Sequence, residues 1–215
     1  MAKFPEPPGV TTLKKIPPLI TNYPKGTLVW RIHFAGGAYP TRWSEFRYVG
    51  PTASRFDHHR SNVKGLGDNK NNVQDRGIMY LAKNGPTCVA EVFQATRVID
   101  RHSGSPWLTG FRLQKAIKLL DLSGVFATTL GASTAIHSGP RPRAQRWAQQ
   151  IYEAYPKIEG ILYCSSMYGN AQALALFERG ERAIPSLPVF HRALNDAAIL
   201  AMLSATAKEI AYQLV

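Results

Sequence analysis

From Gly26 to Phe34 apolar positions recur with a period of two: Leu28, Trp30, Ile32 and Phe34 fall on one face, Val29, Arg31 and His33 on the other. That is the pattern of a strand, with Arg31 opposite an apolar face. Gly77–Ala82 reads as a second short strand, stopped by Asn84-Gly-Pro. Pro86 suits the first turn of a helix over Thr87–Thr96, whose apolar stripe is Val89, Val92, Phe93 and Thr96. Phe111–Leu122 has strand-like stretches, and Arg141–Tyr155 spaces Trp147, Ile151 and Tyr155 as one face of a helix. Gly160–Cys164 predicts a buried strand, Ser165–Asn170 a turn, Ala171–Arg179 a helix. A last helix is expected over Ala193–Gln213, with Leu194, Ala198, Ala201 and Ala205 on one face.

These elements describe one α+β domain with additions at both ends. Six prolines in residues 1–26 exclude a long helix there and predict an extended arm. The domain is expected over 27–185, with a helical extension over 186–215. Residues 35–76 are polar, with a basic stretch Ser54-Arg-Phe-Asp-His-His-Arg60 and a mobile loop expected at Lys64–Arg76.

Composition narrows the classes. With 45% hydrophobic and 19% charged residues, the 215-residue chain is neither disordered nor a coiled coil. It has no apolar run long enough for a membrane span, no secretory signal and no disulfide framework, so a cytoplasmic, membrane-free protein is expected. The net charge is +12, and residues 1–120 hold 18 basic against 7 acidic residues. Such a field attracts polyanions. Trp43, Phe46 and Tyr48 interleaved with Arg42 and Arg47 admit a nucleic-acid-binding module as a competing reading.

Familiar catalytic motifs are missing. Gly65-Leu-Gly67 lacks the third glycine of a dinucleotide loop, and Gly131-Ala-Ser-Thr-Ala135 lacks the second glycine of a nucleophile elbow. Asp57-His58-His59 has no partner motif for a metal and reads as solvated loop histidines, so no metal is expected. Cys88 and Cys164 lie in apolar segments and read as packed thiols.

An arginine on a strand (Arg31), a glutamate on an apolar helix (Glu91) and a serine at a strand end (Ser165) remain. In order, Val29-Trp-Arg31-Ile, Ser54-Arg55-Phe56-Asp57, Met79-Tyr80-Leu-Ala, Val89-Ala-Glu91-Val-Phe, Gly160-Ile-Leu-Tyr163-Cys-Ser165, then Asn170 and Leu176-Phe177, resemble the RES-domain family. Where that family usually has Gly-Gly-Arg-Trp-Asn, this chain has Ala53-Ser-Arg55-Phe-Asp57. The resemblance implies a fold similar to ADP-ribosyltransferases and diphtheria-like toxins, and NAD as the substrate consumed. It also implies a role as the toxin of a toxin–antitoxin pair, with an Xre-like DNA-binding antitoxin blocking the site and providing any link to nucleic acid. Water, phosphate or a protein side chain would accept the ribose, the last making the chain an ADP-ribosyltransferase.

The chemistry of these side chains agrees with that implication. Breaking the nicotinamide–ribose bond builds positive charge on the ribose, which a carboxylate stabilises. Glu91 has no basic residue one turn away and is the candidate. Arg31 and Arg55 offer bidentate bonds to a diphosphate. Tyr80 is expected to stack on nicotinamide or bond the ribose, and Ser165 to bond the ribose or the carboxamide. Asn170 reads most simply as the cap of the following helix, with ligand contact as the sharper alternative.

Overall fold

The computed structural model describes residues 3–60 and 73–215. In chain order the elements are α1 (Val10–Leu13), β1 (Ile20–Tyr23), β2 (Leu28–Phe34), β3 (Arg47–Val49), β4 (Val73–Ala82) and α2 (Gly85–Val92). Then come β5 (Val98–Ile99), β6 (Pro106–Arg112), β7 (Ile117–Asp121), α3 (Phe126–Thr129) and α4 (Arg141–Ala154). The chain ends with β8 (Gly160–Cys164), β9 (Gln172–Phe177), β10 (Phe190–Ala193), α5 (Leu200–Ile210) and β11 (Gln213–Leu214). Among the described residues one mixed sheet runs β1-β7-β8-β9-β4-β2-β6-β10, with β3 also paired to β4. Only β7 and β8 are parallel within it. No helix among the described residues is long and apolar enough to cross a membrane.

Both faces of the central strands are covered, which explains their unbroken apolar runs. On one face Ile161, Tyr163, Ala175 and Phe177 pack beneath Trp147 and Ile151 of α4. On the other Leu162, Leu174 and Leu176 meet Met79, Leu81 and Phe111. A third cluster joins Val89 and Phe93 to Leu203 and Ala207 of α5.

The expected helix over Ala171–Arg179 is instead the strand β9 followed by a tight helical turn. Alanine and leucine favour a helix locally, but Gln172-Ala-Leu-Ala-Leu-Phe has no polar face, and pairing on both sides with β4 and β8 overrides propensity. The helix after Asn84 is shorter than expected, ending at Val92, and Val92 is partly exposed while Thr96 lies beyond it. At the C-terminus the expected single helix divides into β10, a turn and α5. Its buried stripe is Ile199, Leu203, Thr206 and Ala207, whereas Ala198, Ala201 and Ala205 face solvent.

In β2 the expected polar face is the more buried one, because Val29 and His33 are covered while Trp30 and Ile32 pack at the margin of the α2–α5 cluster. The Pro-rich arm lies against the domain: Phe4 and Leu13 are buried, β1 pairs with β7, and Glu6 bridges Arg143 and Arg146 of α4. Of the loop expected at Lys64–Arg76, residues 64–72 lie outside the described residues and Val73–Arg76 begin β4.

Candidate active site

Strands β2 and β4 pair at a single register, Trp30 opposite Ala82, and part beyond it. Residues on either side of that fork, Arg31 and Ile32 from β2 with Ile78, Tyr80 and Leu81 from β4, line a cavity of about 480 Å³. This volume is within the range of small-molecule sites. The remaining wall comes from the Thr52–Arg55 loop, Glu91 and Gln94 at the end of α2, Tyr163 of β8, His137, and Arg141 at the start of α4. A second cavity of about 480 Å³, lined by Arg97, Tyr168, Glu209 and Tyr212, contains none of the residues singled out by sequence.

Four arginines, Arg31, Arg47, Arg55 and Arg141, face one carboxylate, Glu91, on the wall of the first cavity. Arg47 is paired with Asp57 at 2.9 Å. The other three have no acidic partner among the described residues. Arg31 Nη1 donates to the carbonyls of Trp43 and Glu45, at 2.8 and 2.9 Å, and its Nε is buried without a partner. Burial lowers Arg31 to about 10, which leaves it a cation at neutral pH. Arg55 Nη1 donates to Gly139 O at 2.6 Å. Burial, and then the Arg141 charge beside it, lowers Arg55 below the ordinary guanidinium value. Half-buried like charges of this kind are costly unless an anion joins them.

Glu91 lies one residue from the end of α2, a helix started by Asn84, whose side chain accepts from Thr87 N. Both carboxylate oxygens are engaged: Ser165 Oγ donates to Oε1 at 2.5 Å, and Gln94 Nε2 approaches Oε2 at 3.3 Å. Ser165 itself is fully buried and accepts the N–H groups of Met167 and Tyr168, both at 3.1 Å. It therefore stands behind Glu91 and does not line the cavity. Ser165→Ala removes the shared partner of one carboxylate oxygen and two N–H groups. It is expected to cost about 1–3 kcal/mol, the penalty of polar groups left unpaired. The urea midpoint measures it, and an unchanged midpoint would deny the serine this holding role.

Tyr80 lines the cavity, and its hydroxyl accepts Phe56 N at 3.2 Å. Burial, reinforced by Asp57, raises its pKa, so it serves as a neutral phenol. Asn170 is exposed, has a left-handed backbone (φ 60°) and leads into a strand, so it caps no helix and does not line the cavity. The structure thus brings together Arg31, Arg55, Tyr80 and Glu91, sets Ser165 one contact behind them, and leaves Asn170 outside.

Asp57, His58 and His59 are completely buried, contrary to the solvated loop expected for them. Asp57 accepts from Arg47, from Thr52 N and Oγ1, and from the His59 ring, so it pins the loop that carries Arg55. His58 packs on Tyr152 and Phe177. Among the described residues no group of three or more His, Cys, Asp or Glu side chains is placed to hold a metal. Both cysteines are free thiols, and burial raises both.

Sequence reasoning missed Gln94, His137 and Arg141. Arg141 had a legible signal: the first turn of α4 holds two arginines and no acidic residue, against the preference of a helix N-terminus.

The family model of the RES domain matches residues 28–195. No curated protein matches the chain in sequence. In fold the chain is similar to a chain of the MbcT–MbcA toxin–antitoxin complex of M. tuberculosis. That match has a TM-score of 0.56 at 14% identity and covers 92% of this chain and 97% of the other.

Proposed function

Because the chain belongs to the RES-domain family, we propose that it is the toxin of a toxin–antitoxin pair and that it cleaves the nicotinamide–ribose bond of NAD. The observation that carries this reading is the cavity's charge pattern, a single carboxylate held from behind on a wall shared with Arg31 and Arg55, which have no acidic partner among the described residues. A toxin role is supported by the fold likeness to a chain of a toxin–antitoxin complex. An ADP-ribosyltransferase-like fold belongs to the same proposal, supported by the cleft at the fork of a mixed sheet.

NAD fits these residues. In this reading its diphosphate would supply the anion that Arg31 and Arg55 lack among the described residues, its rings would lie against Tyr80 and Ile78, and its nicotinamide ribose would come to Glu91, all of which line the cavity. In the reaction the C1′–N bond breaks, and its electron pair stays with the nicotinamide ring, which leaves neutral. Positive charge developing on C1′ faces the Glu91 carboxylate, and no acid is required. The oxygen of water or inorganic phosphate then bonds C1′ and releases any proton it carried, giving ADP-ribose or its 1″-phosphate. An antitoxin that covers the cavity mouth would block the substrate.

Purified protein incubated with NAD should release nicotinamide, and phosphate dependence would identify the acceptor. Label from NAD appearing on a lysate protein would redirect the reading to ADP-ribosyl transfer. Folded protein that releases no nicotinamide and labels nothing would sink it.

A further inference from the structure

Beyond the residues that meet the reacting bond, we infer that Gln94 and Arg141 form a positioning pair that couples the anion-binding wall of the cavity to the Glu91 carboxylate. The inference rests on the NAD-cleavage reading and adds to it two residues that the reading does not use.

Gln94 follows the end of α2, and its two amide hydrogens have separate destinations. One bond, 2.7 Å, goes to the main-chain carbonyl of Glu91, and the other, 3.3 Å, to Glu91 Oε2. The first alone would be ordinary capping of a helix end, since the last carbonyls of a helix lack internal partners. The second has no such purpose. It restrains the one carboxylate oxygen that Ser165 does not hold.

The amide could serve this way only if its orientation is fixed, because a half-turn would set its carbonyl against the carboxylate. Arg141 supplies the restraint, donating from Nη2 to Gln94 Oε1 at 2.8 Å across 47 residues of chain. An arginine at that place is otherwise unexplained. It starts a helix, where the backbone dipole disfavours a cation, and it stands near Arg55 with no ion pair among the described residues. Arg141 also lines the cavity. A diphosphate drawn to Arg55 would meet Arg141 as well, and the same guanidinium that grips the anion would hold Gln94, and through it Glu91, in register. Substrate binding and carboxylate placement are thereby linked through two hydrogen bonds.

The test is a double-mutant cycle on nicotinamide release, with Gln94→Leu, Arg141→Ala and both together, each checked for folding by thermal unfolding. Gln94→Leu should lower kcat about tenfold, the scale of coupling within one hydrogen-bond network, with KM unchanged. Arg141→Ala should show the same fall in kcat and also a raised KM. The double variant should lose no more kcat than either single one and keep the KM of Arg141→Ala. Gln94→Glu keeps the shape and the tie to Arg141 but presents an acceptor to Glu91, and it should match Gln94→Leu in kcat if the latter folds poorly. Losses in kcat that multiply, or an intact kcat in both Gln94 variants, overturn the coupling while wild-type activity stands. Inactive wild-type protein overturns the NAD reading itself, and the pair's role with it.

Discussion

Glu91→Gln is expected to lower the turnover of NAD about 10²–10³-fold, the scale on which a preorganised electrostatic group acts at a transition state. The substitution is nearly isosteric, and the Ser165 hydroxyl retains an oxygen to which it can donate. What disappears is the negative charge. Because that charge serves the cation formed as the C1′–N bond breaks, the loss should fall on kcat and leave KM largely unchanged. Steady-state nicotinamide release, with matched thermal unfolding of both proteins, measures this. A variant that keeps more than a tenth of wild-type turnover would mean that Glu91 does not face the reacting ribose.

The four lining residues that resemblance nominated, Arg31, Arg55, Tyr80 and Glu91, come from separate parts of the chain, and the fold gathers them at the fork between β2 and β4. Arg31, Tyr80 and Glu91 were legible because each is a polar residue among apolar neighbours, whereas Arg55, in a polar and basic stretch, was legible through the resemblance and its capacity for a diphosphate. Ser165 was legible as a residue but not as a contact. Its position one shell behind Glu91 follows from the turn at Met167 and Tyr168, which a linear pattern does not express. Gln94 and Arg141 carry no such contrast, and a hydrogen bond across 47 residues of chain joins them.

β8, covered on both faces, and α4, covered on one, were read well. β8 coincides with the expected strand, and α4 keeps its apolar stripe with Trp147 and Ile151 buried. Misreadings arose where tertiary packing outweighed local preference. β9 is built of helix-favouring residues, yet it lies between β4 and β8 and is covered on both faces. The alanine spacing after Leu194 suggested a stripe on the side that faces solvent, because small side chains give a weak hydrophobic signal and Ile199 and Leu203 set the true face. Asp57, His58 and His59 looked like loop polarity because their partners, Arg47, Thr52, Tyr152 and Glu178, are dispersed in sequence.

Asp57→Ala should cost about 3–5 kcal/mol, the usual consequence of removing one partner of a buried ionic cluster. For a chain of this size each kcal/mol lowers Tm by about 2–4 °C, which makes the change easy to see by calorimetry. The carboxylate's exposure is 0%, and it neutralises Arg47 while fixing Thr52 and His59. Burial alone would raise its pKa. The His59 and Arg47 contacts outweigh burial and hold it well below the ordinary carboxylate range. Glu178, with burial opposing and His58 and Tyr152 lowering, is brought down to about 2. Both groups therefore add stability above their ordinary values of 3.8 and 4.5, and that stability is lost as pH falls toward the depressed folded values. Wild-type protein should destabilise steeply below about pH 4.5, and Asp57→Asn should flatten that dependence in part because Glu178 still titrates. Since the Asp57 contacts pin the loop bearing Arg55, the same variants should bind NAD more weakly even at temperatures where they remain folded. An Asp57→Asn protein with the wild-type acid slope and unchanged affinity would show that the buried cluster neither stores this stability nor holds the arginine wall.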